Sequence, residues 1–503
     1  MSLGMASKIP PYYDERTSIN TRPSRFCNSR TKMGDFMPRI SACRRFARQT
    51  ILRVAAIGIV LMIGTVFGIL VAQAENWPQW RGPDGNSRSA ETNLPVIWNE
   101  KQGVVWRATL PEWGNSTPAI WGDAIFLTAQ KDEELLLFKL KKTSGEIEWT
   151  KTVGRGTVHR MPLQKKTDAE RREQKFHQLQ NFASPSPVTD GKTVVVHFGN
   201  GDLAAYDYSG NRLWGHNLQE DYGTYTIWWG HANSPVIFDK SVISVCMQDN
   251  IAEIADKPTE SYVVAHDLTT GKEVWRTLRM TGAKAEECDS YTTPVFRRVG
   301  LQGGLNERLE MLIMGGNQVD AYDPTNGKQL WYLPKIVGGR TVGGPTIWND
   351  LVYVTQGKSG PMLAVKLDGN VVKLDGNAVE RGHETSIAWR DPSGTPDTCC
   401  TVTSGELLFA MTDGGVVKCF DARTGNLKWK ERVKGNYKAS PLAAEGRIYF
   451  LNTQGLCTVI SASDRFDRLA ENQLDDDTLA SPAISDGKIF IRGKKFLYSI
   501  SKP

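Results

Sequence analysis

Short stretches in which hydrophobic and polar residues alternate recur from residue 77 to the C-terminus, separated by turns rich in Gly, Asp and Asn. Residues 440–461 (SPLAAEGRIYFLNTQGLCTVIS) contain three such stretches. Alternation with a period of two is typical of β-strands that bury one face. The pattern therefore predicts an all-β fold built from short antiparallel strands.

One phrase of the sequence repeats. It consists of an Asp, a short polar stretch, a Gly, and a Trp four residues after the Gly; it occupies residues 206–214, 266–275, 322–331 and 420–429. A copy without Asp spans 140–149, and a copy interrupted by an insertion spans 365–389. We interpret the Asp and Gly as a hairpin turn, in which Gly adopts positive φ. The Trp then begins a further strand and packs between neighbouring sheets.

A second phrase, Ser, Thr or Gly followed by Pro, marks the first strand of each unit. It stands at 117–118, 186–187, 234–235, 293–294, 344–345, 440–441 and 481–482. Cys399-Cys400-Thr401-Val402 takes the equivalent place in an eighth unit, with Cys400 where proline stands elsewhere. The chain thus contains eight first strands.

The unit length and the two chain ends indicate the architecture. Successive prolines at the start of the series are 69, 48, 59 and 51 residues apart, a spacing that fits four-stranded propeller blades. The last unit ends after its third strand, 496–500, and an unassigned strand lies at 103–109. Pairing these two segments would close the ring and remove two sheet edges. We therefore predict an eight-bladed β-propeller of four-stranded antiparallel blades, closed by its N-terminal and C-terminal strands, over residues 75–503.

An uncharged run of 19 residues, 54–72, follows a leader rich in Arg and precedes the small residues Ala72 and Ala74. This order is typical of a secretory signal peptide, and the run is also long enough for a membrane anchor. Both interpretations of 54–74 predict an exported protein in the periplasm or cell envelope. Residues 1–53 are interpreted as a disordered basic leader, and Met33 or Met37 offers a later start.

The charge of the chain is concentrated in this leader. The whole sequence carries a net +6, whereas residues 1–74 hold eleven basic and three acidic side chains, which leaves −2 for residues 75–503. A nearly neutral propeller gives no support for nucleic-acid binding. Membrane contact is expected only through 54–72, if that segment is not cleaved.

The repeated phrases resemble those of the pyrroloquinoline-quinone-like (PQQ-like) repeat propellers, and the best copy is YDPTNGKQLW at 322–331. This superfamily includes quinoprotein alcohol dehydrogenases and the outer-membrane assembly lipoprotein of the insertion machinery. The opening WPQWRGP (77–83) and NFASPSP (181–187) also resemble a group of exported, uncharacterised propellers. The resemblance covers 77–503 and implies the fold, but no cofactor.

In a propeller, the residues just before each first strand collect at one mouth of the central channel. Counting back from each proline, and adding the flanking positions, gives a candidate binding site rich in aromatic and charged groups. Its members are Trp113, Phe182, Trp229, His231, Asp289, Tyr291, Arg340 and Tyr437. The alternative is that loops at a propeller mouth carry such residues without binding a ligand.

Two features of this region have competing interpretations. His231 could act as an acid/base group or ligand contact, but no adjacent acidic residue orients it, which favours a packing role between loops. Cys399 and Cys400 could form a vicinal disulfide of the kind found near the quinone in some quinoprotein dehydrogenases. Two small buried thiols on a strand are the preferred interpretation.

A charged insertion at about 155–182 has a composition that favours helix, and we expect a lid, a partner-binding helix or a solvated helix over the rim. The seven His residues show no i, i+2 or i, i+4 pairs, and Asp475–Asp477 lacks calcium-loop spacing. No metal site, catalytic residue or cofactor is therefore predicted from these motifs.

Two functions from different classes remain. The preferred hypothesis is an exported non-enzymatic binding or scaffolding module for a protein or polysaccharide partner. The alternative is a PQQ- and calcium-dependent quinoprotein oxidoreductase of alcohols or sugars. The exported part is short for that class, and it lacks the Cys-x-x-Cys-His haem motif. The sequence identifies neither the ligand nor the partner.

Overall fold

The computed structural model describes residues 75–160, 167–300, 308–357, 360–367, 379–392 and 394–503. These residues belong to one compact unit, Ala72–Pro503. The predicted leader (1–53) and signal or anchor segment (54–74) lie outside the described residues. Within the described part of the chain, no helix combines the length and apolar character needed to cross a membrane.

The eight-bladed propeller predicted from the repeats is confirmed. Two strands precede the first blade, β1 (Arg88–Ser89) and β2 (Val104–Thr109). The strands of blades 1 to 4 follow in chain order, with four strands in each blade. They are β3 (Ala119–Trp121), β4 (Ala124–Lys131), β5 (Glu134–Lys141) and β6 (Ile147–Arg155); β7 (Val188–Thr189), β8 (Thr193–His197), β9 (Asp202–Asp207) and β10 (Arg212–Asn217); β11 (Val236–Phe238), β12 (Ser241–Cys246), β13 (Tyr262–Asp267) and β14 (Glu273–Leu278); and β15 (Val295–Val299), β16 (Arg308–Gly315), β17 (Gln318–Tyr322) and β18 (Gln329–Leu333).

Blades 5 to 8 continue the series, and the eighth blade takes its fourth strand from β2. Their strands are β19 (Thr346–Trp348), β20 (Leu351–Thr355), β21 (Met362–Lys366), β22 (Val379–Glu380) and β23 (Ile387–Asp391); β24 (Val402–Ser404), β25 (Leu407–Met411), β26 (Val416–Asp421) and β27 (Leu427–Arg432); β28 (Leu442–Ala444), β29 (Arg447–Leu451), β30 (Leu456–Ser461) and β31 (Arg468–Gln473); and β32 (Ala483–Ser485), β33 (Lys488–Arg492) and β34 (Phe496–Ser501).

Two short strands each add a fifth strand to the sheet of another blade. β1 pairs in parallel with β28 of blade 7, and β22 pairs in parallel with β18 of blade 4. The described helices are α1 (Asp168–Arg171), α2 (Leu218–Tyr222), α3 (His383–Ser386) and a 3-10 turn at Ala285–Cys288. All are short and lie in connections between strands.

The middle strands of each blade are buried on both faces because neighbouring blades cover them. All five residues of β8 are buried, as are all five of β20. The fourth strands lie at the rim, where β27 exposes most of its side chains. Stacking of blades therefore supplies the core that one four-stranded sheet cannot form alone.

The predicted closure is confirmed by the pairing of β2 with β34. The two strands are antiparallel, with Arg107 opposite Tyr498 and Thr109 opposite Phe496. Blade 8 thus contains the two ends of the propeller sequence, and the closing contact is a strand ladder with no covalent link between them. This pairing covers one edge of β34 and one edge of β2 that would otherwise be open.

The repeated Trp joins six of the eight blades to the next one at the outer rim. Its indole N–H donates to a backbone carbonyl near the hairpin turn of the following blade, at 2.9 to 3.2 Å, in six pairs. In five of them, the ring also lies against the Gly of that turn, where a side chain would collide with it. The pairs are Trp106–Lys142, Trp149–Tyr208, Trp214–Leu268, Trp275–Pro324, Trp389–Ala422 and Trp429–Ser463.

The residue before each proline joins blades at the inner end. The backbone N–H of Thr117 donates to Ser186 Oγ at 2.9 Å, and Ser186 N donates to Ser234 Oγ at 2.9 Å. Ser234 N then donates to Thr293 Oγ1 at 3.2 Å. In the same way, the backbone N–H of Gly344 donates to Cys400 Sγ at 3.1 Å. We call this series of contacts the inner ring.

The inner ring continues through blades 6 to 8 and corrects one alignment. Cys400 N donates to Ser440 Oγ at 3.1 Å, and Ser440 N donates to Ser481 Oγ at 3.0 Å. Cys400 therefore takes the place of the Ser or Thr that precedes proline, and Thr401 takes the place of proline. The comparison of the repeats in the sequence placed Cys400 at the proline position, and this assignment was wrong by one residue.

Truncating an interblade Trp should destabilise the whole propeller. Trp275→Ala removes the ring that packs on Gly327 and the hydrogen bond to Pro324, so we expect a loss of about 3 kcal/mol and a lower urea midpoint. Val274→Ala, at the neighbouring position with 52% exposure, is the matched control and should cost under about 0.5 kcal/mol. Equal urea midpoints for the two variants would contradict the role given to the indole.

Candidate functional site

The inner ends of the blades enclose a cavity of 520 Å³ on the propeller axis. Its walls combine aromatic and aliphatic side chains with hydroxyl, amide and charged groups. They are Trp80, Asn115, His177, Leu179, Gln180, Ser184, Ser186, Trp229, Ala232, Ser234, Glu286, Tyr291, Thr293, Arg340, Val342, Thr398, Lys438, Ser440, Leu479 and Ser481. This mixture of a few charged groups on a largely neutral wall is typical of a ligand pocket.

The N-terminal segment 77–89 closes one end of the channel. Trp77 pairs with Ile120 of blade 1, Thr189 of blade 2 donates to the carbonyl of Pro78, and β1 pairs with blade 7. The segment therefore touches blades on opposite sides of the ring. Trp80, which it carries, forms the floor of the cavity.

Arg81 fixes this floor. Its buried guanidinium donates to the carbonyl of Pro345 at 2.7 Å, to Thr346 Oγ1 at 2.7 Å and to the carbonyl of Thr401 at 3.2 Å. These acceptors belong to blades 5 and 6. At the inner-ring position of blade 5, a Cβ added to Gly344 would lie 3.4 Å from the Trp80 ring, so the ring packs directly against this glycine.

The insertion after β6 forms one wall of the mouth. Its described part is helical only in α1 (Asp168–Arg171), and the following residues are extended because their backbone pairs with another loop. Gln174 N donates to Tyr225 O at 2.8 Å, and His177 N donates to Trp229 O at 3.3 Å. We call residues 167–180 the strap.

An ion pair holds the strap to blade 3. Arg171 donates through Nε to Asp249 Oδ2 at 2.8 Å and through Nη2 to Asp249 Oδ1 at 3.0 Å. Burial opposes ionisation of Asp249, but hydrogen bonds from Arg171 and Trp228 outweigh it and hold the pKa of the carboxyl below its usual value. A charged, bidentate contact therefore fixes the wall to the ring.

Charges of both signs surround the open mouth. Arg340 donates to Asp397 at 3.0 Å, and its Nε lies 3.8 Å from Glu286. Glu286 also accepts the indole N–H of Trp229 at 2.7 Å. Next to this pair, Lys438 Nζ donates to Asp413 Oδ2 at 2.7 Å, and Asp413 Oδ1 accepts the backbone N–H of Asp397 at 3.3 Å. The rim therefore presents two cations whose positions are set by carboxylates, and an aromatic ring, Trp229, held by a third carboxylate.

His177 adds a neutral donor to the mouth. Its Nδ1 accepts the backbone N–H of Leu179 at 3.1 Å, so the neutral ring carries its proton on Nε2. Burial, and then the nearby cations Lys438, Arg340 and Arg160, lower the pKa of His177 below its ordinary value. The ring is consequently uncharged at neutral pH.

The structure brings three of the eight predicted mouth residues into the cavity wall, namely Trp229, Tyr291 and Arg340. The other five are not among the residues that line the cavity: Trp113, Phe182, His231, Asp289 and Tyr437. Phe182 packs edge-on against Phe176, and Tyr437 donates to the carbonyl of Lys434 at 2.8 Å. Trp113 accepts backbone and side-chain hydrogen bonds through its carbonyl.

His231 and Asp289 are both buried within the structure. His231 Nε2 lies 3.2 Å from His197 Nδ1, its ring stacks on Tyr225, and burial lowers its pKa to about 3. Asp289 accepts the backbone N–H groups of Trp228 and Asp249, each at 2.8 Å. These contacts fit the packing interpretation of His231 and give Asp289 the same kind of role, because each side chain positions a loop of the mouth.

Cys399 and Cys400 are free, buried thiols in this structure. Neither lies among the residues that line the cavity. Burial raises the pKa of the Cys399 thiol well above its usual value. In the inner ring, Cys400 takes the place of a Ser or Thr, and its sulfur accepts the backbone N–H of Gly344 as the hydroxyl does in other blades. This position therefore requires a small side chain that can accept a hydrogen bond.

The described residues do not fit the calcium site that the oxidoreductase alternative requires. Among them, no three His, Cys, Asp or Glu side chains are grouped so that they could hold a metal ion. The carboxylates of the rim are already held by Arg340, Lys438 and Trp229. We therefore derive no reaction step through calcium or a quinone.

Counting back from the prolines missed four contributors to the site. Trp80 comes from the segment before the first blade, and His177 from the strap. Glu286 lies on a 3-10 turn, and the hydroxyls of the inner ring sit directly beside the prolines. The signal that could have revealed the last group was present, because Ser or Thr precedes six of the seven prolines.

Comparison with known proteins places these features in a family. The family model described as outer membrane protein assembly factor BamB matches residues 87–256, 259–378 and 368–467. No curated protein matches the sequence. The matched segments span most of the propeller.

Solved structures share the fold at low sequence identity. BamB from Moraxella catarrhalis is 12% identical with a TM-score of 0.52, covering 79% of this chain and 99% of that one. The quinohemoprotein alcohol dehydrogenase from Comamonas testosteroni is 12% identical with a TM-score of 0.59, covering 85% and 80%. The quinohemoprotein alcohol dehydrogenase ADHIIG from Pseudomonas putida HK5 is also 12% identical, with a TM-score of 0.57 and the same coverage. At this identity, the likeness extends to the fold alone.

Breaking the ion pair should free the strap. Arg171→Ala leaves the buried Asp249 carboxylate without its cation, so we expect the amides of 174–177 to exchange hydrogen at least about tenfold faster. Asp168→Ala removes an exposed charge from the same helix and serves as the control. Hydrogen-exchange mass spectrometry of the peptide covering the strap measures both. Unchanged protection in Arg171→Ala would show that the backbone pairing alone holds the strap.

Buried histidines should make the fold sensitive to mild acid. Burial lowers the pKa of His231 to about 3, and burial and His216 lower the pKa of His266 to about 4. The unfolded chain takes up these protons near pH 6.5, so the free energy of unfolding falls as pH drops from about 6.5 towards 4. Each group contributes up to about 1.4 kcal/mol per pH unit.

The slope of urea stability against pH tests this linkage. His266→Gln should flatten the slope between pH 6.5 and 4, whereas the exposed His159→Gln should leave it as in the wild type. A variant at position 266 with the wild-type slope would refute the contribution assigned to this ring.

Proposed function

Because the chain belongs to the family of the outer membrane protein assembly factor BamB, we propose that it is an exported, non-enzymatic binding module. In this proposal, the propeller works in the cell envelope and holds a protein partner at its mouth. The description of the family names an assembly factor of the outer membrane, which supports a role in protein contacts. A polysaccharide partner is the competing outcome of the test below.

The observation that carries the proposal is that the cavity is closed on one side. Residues 77–89 cover one end of the channel, and the opposite mouth carries the strap, Trp229 and Arg340. A partner could therefore approach the cavity from the mouth only. Trp, Tyr and Arg are the residue types that most often dominate binding energy at protein interfaces, and this rim contains all three.

The charge pattern of the rim supports a specific protein contact. Arg340 and Lys438 are each fixed by a carboxylate, so little side-chain freedom is lost when a partner binds them. Charges of both signs also lie in fixed positions at the mouth, which favours one orientation of a partner with complementary charges. Residues 75–503 carry a net charge of only −2, so the net charge of the propeller gives no support for binding a partner.

Site-specific cross-linking in the full chain tests the proposal. A photo-reactive residue at Gln178, exposed on the strap, should give a discrete adduct in cells, whereas the same residue at Lys240, at the opposite end of blade 3, should not. Combining the Gln178 probe with Trp229→Ala and Arg340→Ala should lower the adduct at least about tenfold, because both changes remove rim contacts.

The outcome also separates the alternatives. A protease-sensitive adduct that requires Trp229 and Arg340 supports a protein partner, and an adduct that only a glycosidase removes would replace it with a polysaccharide. Equal adducts at 178 and 240 would refute the mouth as the binding face. Saturable binding of quinone in the presence of calcium, with dye-linked oxidation of an alcohol, would overturn the non-enzymatic proposal in favour of the oxidoreductase.

A further inference from the structure

Five hydroxyl groups of the inner ring line the channel. They belong to Ser186, Ser234, Thr293, Ser440 and Ser481. Each oxygen accepts one backbone N–H from the preceding blade, at 2.9 to 3.2 Å. All five side chains are otherwise buried, with 7% exposure or less.

This arrangement determines what the hydroxyls can offer to a ligand. An oxygen that already accepts an N–H directs its own hydrogen away from that bond. Among the described residues, none of the five hydroxyls donates to a protein atom, so their hydrogens are available to the cavity. The ring is therefore a set of O–H donors around the channel axis.

Thr117 shows the contrast within the same ring. Its hydroxyl donates to the carbonyl of Ser481 at 3.2 Å, and it is not among the residues that line the cavity. The Thr117 hydroxyl therefore has its acceptor within the protein, whereas the five lining hydroxyls find acceptors in the channel, from water or from a ligand.

Two buried guanidinium groups next to the ring favour an anion. Arg81 follows the floor residue Trp80, and Arg492 donates to the carbonyl of Thr128 at 2.7 Å and to the carbonyl of Ser116 at 3.2 Å, beside Thr117. In the described part of the chain, both guanidiniums donate to hydroxyl and carbonyl oxygens, and Arg492 Nε has no hydrogen-bond partner. Burial lowers the pKa of Arg492 to about 9, as expected for a cation without a counter-ion.

We propose that the channel binds the carboxylate group of a ligand, with its oxygens at the hydroxyl ring and its remaining atoms between Trp229 and Tyr291. The donors supply hydrogen bonds, the buried guanidiniums supply positive potential, and Arg340, Lys438 and His177 Nε2–H add donors at the mouth. This site is additional to the protein contact proposed above. The carboxylate belongs either to a free small molecule or to a chain that enters from a partner.

Calorimetric titration of the full chain with matched probes, without added calcium, tests the site. 4-Phenylbutanoate should bind at least about tenfold more tightly than 4-phenylbutan-1-ol, which has the same ring and stem without the charge. Equal affinities would overturn the proposal. The result needs no partner protein, so it is independent of the cross-linking experiment.

Paired variants locate the carboxylate at the ring. Ser440→Ala should weaken binding of 4-phenylbutanoate about five- to tenfold, while Thr117→Ala should change it less than about twofold. Each variant removes one hydroxyl and one hydrogen bond between blades, so the urea midpoint of each variant measures its separate effect on folding. Equal losses of affinity would overturn the assignment to channel-facing hydroxyls. If Ser440→Ala does not fold, Ser234→Ala takes its place with the same expected result.

Titrations with two peptides distinguish a carboxylate on a small molecule from one at the end of a chain. A hexapeptide with a free C-terminal carboxylate that binds more tightly than its amidated form supports a carboxylate presented by a chain. Binding of 4-phenylbutanoate with equal, weaker affinities for both peptides supports a small molecule. Stronger binding of inorganic phosphate than of any carboxylate would overturn the assigned chemistry.

Discussion

The contact between neighbouring blades is the constraint on which the rest of this structure depends. A single four-stranded sheet exposes two apolar faces, and its middle strands are buried only when blades lie on both sides. Two sequence features secure that contact at opposite ends of most blades. The Trp of the fourth strand bonds to the next blade at the rim, and the residue before each proline bonds to the next blade at the channel.

The same contact explains why the channel has its particular chemistry. Because backbone N–H groups at the inner ends have no strand partner, the side chain of the following blade must accept them. Small hydroxyl residues meet this need and leave their own hydrogens facing the axis. The donor character of the channel is therefore a consequence of how the ring is held together, and five of the eight blades contribute to it.

The blades are not equivalent, and the exceptions build the site. Gly344 has no side chain at the inner-ring position of blade 5, and the Trp80 ring of the floor packs against the chain at this break in the repeat. The strap is a second exception, and it brings His177 to the mouth.

Sequence reasoning predicted the strands, the eight blades and the closure because these follow from periodic patterns. It predicted Trp229, Tyr291 and Arg340 by counting from proline, but Phe182, His231 and Tyr437 at similar offsets are absent from the cavity wall. Position in a loop does not specify the direction of a side chain, since packing with the next loop decides it.

The amino-acid sequence by itself determined the repeat, the number of blades and the way the ring closes. These properties depend on local periodicity and on the turn preferences of Asp, Gly and Pro, which act over a few residues. Only the tertiary structure decided that the channel is closed at one end, that the described residues of the charged insertion after α1 are extended, and that hydroxyls before proline face the axis. Those outcomes depend on contacts between residues that are tens to hundreds of positions apart. Gln174 bonds to Tyr225, and Arg81 bonds to Thr346 and Thr401, and no local sequence pattern predicts such contacts.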